Sequence, residues 1–217
     1  MSAVSRAGAV AVVAALALVS GLRWQSKQAS TSAGFWFAPG PFALIRNDEA
    51  RMGGPLTADD LLAIESVARR EVRRAFDGMR LDVIDDPNAF WRVEVVQDLP
   101  APEGPWVGPP SGAAESYVLG PLGGRGSVSF MSVAQYAVRF APAGATRDDV
   151  RAGIGRGIGR AAVHEFAHQI IAGNGHNPDD VASYEYPHAD RVEQYYGELH
   201  WTTARVRLLK RLGGPQR

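Results

Sequence analysis

The chain has 217 residues, with 23 basic and 23 acidic side chains, five histidines and no cysteine. That length suits one domain with its own core, and the balanced charge provides no field that would draw it to nucleic acid, so no nucleic-acid partner is expected. The missing cysteines exclude disulfides, cysteine nucleophiles and thiolate ligands, which leaves histidine and carboxylate as metal donors.

Arg6 precedes an apolar run over residues 7–22, which then meets Arg23 and Lys27. The run is long for a signal-peptide core and slightly short for a full span. Residues 1–24 are therefore read as either a removed signal peptide or an uncleaved membrane anchor. In both cases the folded part is expected outside the cytoplasm: secreted, periplasmic or held at a membrane. Residues 25–34 are small and polar and read as a tether, leaving 35–217 as one catalytic domain. Thr57, Asp59 and Asp60 signal a helix start, and apolar residues at helical spacing carry that helix over 58–77. Arg69, Arg70, Arg73 and Arg74 lie on it among Glu65, Glu71 and Asp77, as paired surface charges would. Residues 90–97 alternate apolar and polar, as in a half-buried strand. Residues 99–126 are dense in Pro and Gly and read as a long surface loop. Residues 128–138 begin as a strand and continue as a short helix or strand. Thr146, Asp148 and Asp149 open the next helix, which is expected to reach Ala172. Its segment GIGRGIG (153–159) matches no phosphate-binding loop and fits close packing of the helix backbone on a neighbour. A last helix is expected over 189–212, stopped by Gly213, Gly214 and Pro215.

Within the helix that ends near Ala172, His164, Glu165 and His168 form HEFAH, and His176 follows eight residues later. At i and i+4 both imidazoles leave one helix face and can reach one metal ion, with Glu165 beside them. A catalytic zinc site takes three protein ligands and keeps one position open for water, and His176 is the obvious third. Three neutral imidazoles then hold Zn2+, which lowers the pKa of its bound water. Glu165 takes the proton and later passes it to the leaving amine. The expected reaction is hydrolysis of peptide bonds in a protein or peptide substrate, without a covalent intermediate. The alternative is a catalytically silent zinc-binding or interaction module, against which the intact Glu165 argues. Asp179, Asp180 and Asp190 are candidate acceptors for the second nitrogens of the ligand imidazoles.

These residues resemble the site of the zincin metallopeptidases, and within that group they are similar to the metzincins. There HExxHxxGxxH places the third histidine six residues after the second. Here the spacing is eight, with glycines at 173 and 175. The two extra residues fit the turn if the helix ends at Ala172 and both glycines take left-handed conformations. Met131 is the last methionine, so the chain has no Met-turn. The resemblance covers residues 155–177. It implies an α+β, zincin-like fold: a long active-site helix packed on a small mixed sheet, with a C-terminal helix. It further implies a substrate-binding edge strand, for which Ser127, Val128 and Ser129 are best placed. Tyr184, Tyr186 and His188 become candidate oxyanion donors. A thermolysin-like resemblance would instead assign the third ligand to Glu193 or Glu198.

Overall fold

The computed structural model describes residues 32–99, 113–118, 123–172 and 175–213. The signal or anchor expected at 1–24 lies outside them, and no helix among the described residues is long and apolar enough to cross a membrane. The tether expected at 25–34 ends earlier than its composition suggested. Strand β1 spans Ser32–Phe37, with Ala33 and Phe35 fully buried. A Cβ on Gly34 would stand 2.0 Å from the Asp86 carbonyl oxygen, so small residues here reflect close packing.

Helix α1 (Arg46–Met52) is short and ends at Gly53, in the left-handed region with φ 78°. Helix α2 (Ala58–Ala75) starts at the expected place, because Thr57 and Asp60 form a reciprocal capping box. Asp60 also accepts from Arg147 and Arg151, tying the start of α2 to the start of the long helix described below. The Arg147 hydrogen bond above all holds the Asp60 carboxyl well below the usual carboxylate range.

Strands β2 (Asp82–Ile84), β3 (Trp91–Val96), β4 (Ala114–Val118) and β5 (Gly124–Ser129) complete a mixed five-stranded sheet with β1. Its order is β2-β1-β3-β5-β4. The first four are mutually parallel, and β4 runs antiparallel to β5. The region expected to be one surface loop over 99–126 thus contains β4 and the start of β5. Its glycines serve the pairing rather than prevent it: a Cβ on Gly126 would come within 2.9 Å of the Glu115 carbonyl oxygen. The chain leaves β5 directly into α3 (Phe130–Phe140), for which Ser129 is the cap.

Helix α4 (Arg147–Ile171) is opened by a second capping box at Thr146 and runs through all four glycines of 153–159. Four glycines weaken an isolated helix by roughly 3–4 kcal/mol relative to alanines. Packing is what the missing side chains permit. Cβ atoms at Gly155 and Gly159 would lie 2.7 Å from the carbonyl oxygens of Ile64 and Ala68 on α2. At Gly153 and Gly157 they would meet the Tyr196 hydroxyl and the Tyr195 ring, each at 2.5 Å. Ile154, Ile158, Val163 and Phe166 of α4 join Trp91, Val93 and Val128 of the sheet in one fully enclosed apolar cluster.

The single helix expected over 189–212 is two: α5 (Glu193–Tyr196) and α6 (Ala204–Leu212). Between them Gly197 is extended, with φ −89° and ψ −176°. His200 forms a bridge with Ser183 instead of continuing a helix. The N–H groups of Thr202 and Ala204 are taken by the carboxylate of Glu185. A distant acceptor thus claims donors that a continuous helix would have used. Among the described residues the architecture is mixed α and β, with six helices and this sheet.

The glycine contact gives a stability prediction. Gly159→Leu must displace the Ala68 backbone or the Glu71 side chain and is expected to cost about 1–3 kcal/mol. Urea unfolding followed by circular dichroism measures it, and an unchanged midpoint would show that the α2–α4 approach is looser than described.

Candidate metal centre

Helix α4 carries His164 and His168 one turn apart, so their rings meet nearly at right angles with Nε2 atoms 3.0 Å apart. The chain then leaves the helix at Ala172, the only non-glycine residue with positive φ among the described residues (φ 41°). The turn therefore falls on Ala172, and Gly175 is not left-handed; Gly173 lies outside the described residues. His176 returns to place its Nε2 3.0 Å from that of His168, its ring parallel to that of His164. The three histidines lie close enough together to bind one metal ion, with all their ligand atoms within 4.8 Å of one another.

The donor chemistry fits a cation. His164 Nδ1 donates to the Tyr184 carbonyl oxygen at 2.8 Å, which can only accept. Its Nε2 lone pair is thereby fixed towards the other two rings. Burial pushes the His164 pKa down to about 4, against the opposing pull of the Tyr184 carbonyl, so the ring is neutral at pH 7. Ring nitrogens 3.0 Å apart repel unless a proton or a cation lies between them. Nitrogens around a tetrahedral ion at 2.0–2.1 Å would be separated by about 3.3 Å, close to what is seen.

Glu165 follows His164 on α4 and is only 6% exposed. The Ser116 hydroxyl of β4 donates to its carboxylate. Burial pushes its pKa up, opposed by Ser116 and His168 and reinforced by Glu115. These groups share a cleft of about 1060 Å³ whose floor is α4 and whose walls are β4, α3 and the segment around 184–195. Tyr186 and His188 line it, ring against ring.

Other expected positions fall elsewhere. Ser127, Val128 and Ser129 belong to β5, which pairs with β3 on one side and β4 on the other, so they do not form an edge. Val128 is fully buried, and the Ser129 hydroxyl caps α3. Among the described strands the sheet ends on β2 at one side and β4 at the other, and β4 is the edge that borders the cleft. Tyr184 commits its hydroxyl to Glu71 at 3.1 Å and reaches the histidines through its backbone. Burial first, then the Glu71 charge, pushes its phenol pKa up. Asp180 pairs with His200 and Asp190 with Arg191, so the acceptor for His164 is a carbonyl instead. Glu198 is exposed and pairs with Arg74, and neither it nor Glu193 is among the close-set ligand atoms, which belong to the three histidines.

Sequence reading missed three contributors: Ser116, the Glu71–Arg160 pair and Glu185. Arg160 is buried, donating to Glu71 at 2.8 Å and to the carbonyls of Glu193 and Gly197. Its one legible sign was position, one helical turn before His164 on the same helix. Comparison with known proteins finds no family model that matches the chain and no match among curated proteins.

The buried imidazole carries a pH signature in the metal-free protein. The folded pKa of His164, about 4, lies below its ordinary 6.5, so the unfolded chain takes up a proton that the folded one refuses. Its contribution to stability is complete above about 6.5 and falls as pH drops towards 4. Urea titrations in chelator at pH 7 and pH 5 are expected to show a larger loss for wild type than for His164→Asn. Equal losses would mean that the ring is not held neutral.

Proposed function

We propose that the protein is a zinc metallopeptidase in which His164, His168 and His176 hold the ion and Glu165 moves the proton. The observation that carries this reading is the meeting of three imidazoles on the floor of a cleft, beside a carboxyl that burial keeps easy to protonate. When bound, zinc supplies Lewis acidity that lowers the pKa of a coordinated water towards neutrality.

The protein's own groups account for the remaining requirements. Glu165 accepts the proton of the attacking water and delivers it to the departing amine, a double task that favours a pKa raised towards neutrality. Ser116 keeps that carboxylate oriented. Strand β4 presents its outer edge along the cleft, where an extended peptide can pair with it by main-chain hydrogen bonds. That edge favours a peptide over a small ester or amide as substrate. Tyr186 and His188 also line the cleft and are the candidate donors to the developing oxyanion.

The test pairs metal analysis with digestion of a broad peptide library by the purified full chain. Wild type and Glu165→Gln are each expected to hold one zinc per chain, with the variant slower by about 10²–10⁴-fold. His176→Ala is expected to lose stoichiometric zinc. Zinc retained by His176→Ala would remove it from the ligand set. Zinc-loaded wild type that cleaves nothing would favour the silent binding module.

A further inference from the structure

Glu185 is completely buried, yet among the described residues no cationic side chain donates to it. Its carboxylate accepts four hydrogen bonds from neutral groups: the N–H of Thr202 at 2.9 Å and of Ala204 at 2.8 Å, and the hydroxyls of Thr202 at 2.6 Å and Thr203 at 2.9 Å. Burial would raise its pKa, but these bonds together outweigh burial and hold the carboxyl below its usual range. An ionised carboxylate taken out of water with no cationic partner among the described residues is an expensive way to join two loops.

The backbone on either side of this carboxylate leads to the histidines. The Tyr184 carbonyl, one residue earlier, accepts from His164 Nδ1. The carbonyl of Glu185 itself accepts the N–H of Asn177, the residue after His176, at 2.8 Å. Asn177 closes the circuit by donating its side-chain amide to the Thr202 hydroxyl at 3.1 Å. Two of the three imidazoles are thus held from one dipeptide, and the Glu185 side chain is what fixes that dipeptide to residues 202–204.

We infer that Glu185 is a positioning residue of the metal centre: it orients His164 through the Tyr184 carbonyl and His176 through Asn177, and its charge helps balance the bound cation. The inference rests on the metallopeptidase reading for the identity of the cation. It differs from a plain structural role because it requires the affinity for metal, and not only the stability of the fold, to depend on this side chain. Partners that orient metal ligands in this way typically change affinity by 10–100-fold when removed.

The test measures zinc affinity of the full-length protein by chelator competition, well below the unfolding midpoint, with the visible spectrum of the cobalt-loaded protein as a second readout. Glu185→Gln is expected to bind zinc about 10–100-fold more weakly and to shift the cobalt bands. Thr202→Val, which removes one donor and the Asn177 link, is expected to weaken binding in the same direction, while Thr202→Ser restores it. Thr57→Ala, which destabilises the start of α2, is expected to keep wild-type affinity. If Glu185→Gln does not fold, the two Thr202 variants decide. Wild-type affinity and spectrum in Glu185→Gln, or in Thr202→Val, would overturn the inference while leaving the metal centre standing. A wild type that binds no zinc would overturn the proposed function instead.

Discussion

The close approach of α2 and α4 is the contact on which the rest of the site depends. Gly155 and Gly159 let two helix backbones come near enough that a single methyl group would not fit. That spacing brings Glu71 of α2 to Arg160 of α4, in a pair that is buried on both sides. Such a pair repays its desolvation only with good geometry and further hydrogen bonds. Here Arg160 has two backbone carbonyls besides, and Glu71 also receives the Tyr184 hydroxyl. Through Tyr184 the contact reaches His164, so helix spacing and imidazole orientation belong to one continuous chain of interactions.

Four of the buried carboxylates, Asp60, Glu71, Glu165 and Glu185, are satisfied in distinct ways, which separates their roles. Asp60 and Glu71 meet guanidinium groups, and both lie where α2 touches α4. Glu185 meets only neutral donors, four of them. Glu165 has the Ser116 hydroxyl, and its pKa is raised rather than lowered. With burial outweighing its partners, Glu165 takes up a proton more readily than an ordinary carboxyl, as the buried Asp48 does away from the cleft. Guanidinium donors thus go to Asp60 and Glu71, and Glu165 has none.

Much of this organisation was legible because local chemistry announces itself. The capping boxes at Thr57 and Thr146 marked two helix starts, the alternation over 90–97 marked β3, and His164, His168 and His176 are spaced so that they meet. What was not legible depends on partners far away in the chain. Strand β4 hides among glycines and prolines whose purpose appears only when β5 lies beside it. Ser127, Val128 and Ser129 read as an edge because a sequence does not say that both sides of β5 will be paired. The break between α5 and α6 comes from Glu185, 17 residues before Thr202. Tyr184 suggested a phenol donor, whereas its carbonyl is the group that meets His164.

The interruption between α5 and α6 also bears on the order in which the protein assembles. HEFAH is local and can form as soon as α4 does, but the support of His164 and His176 waits for residues 202–204 to arrive. During synthesis HEFAH is complete at His168, well before residues 202–204 are made. A chain that has emerged only as far as His176 would present the three imidazoles without the contacts that orient two of them. If the histidines hold a metal as proposed, the affinity of the finished centre would depend on contacts that residues 202–204 complete.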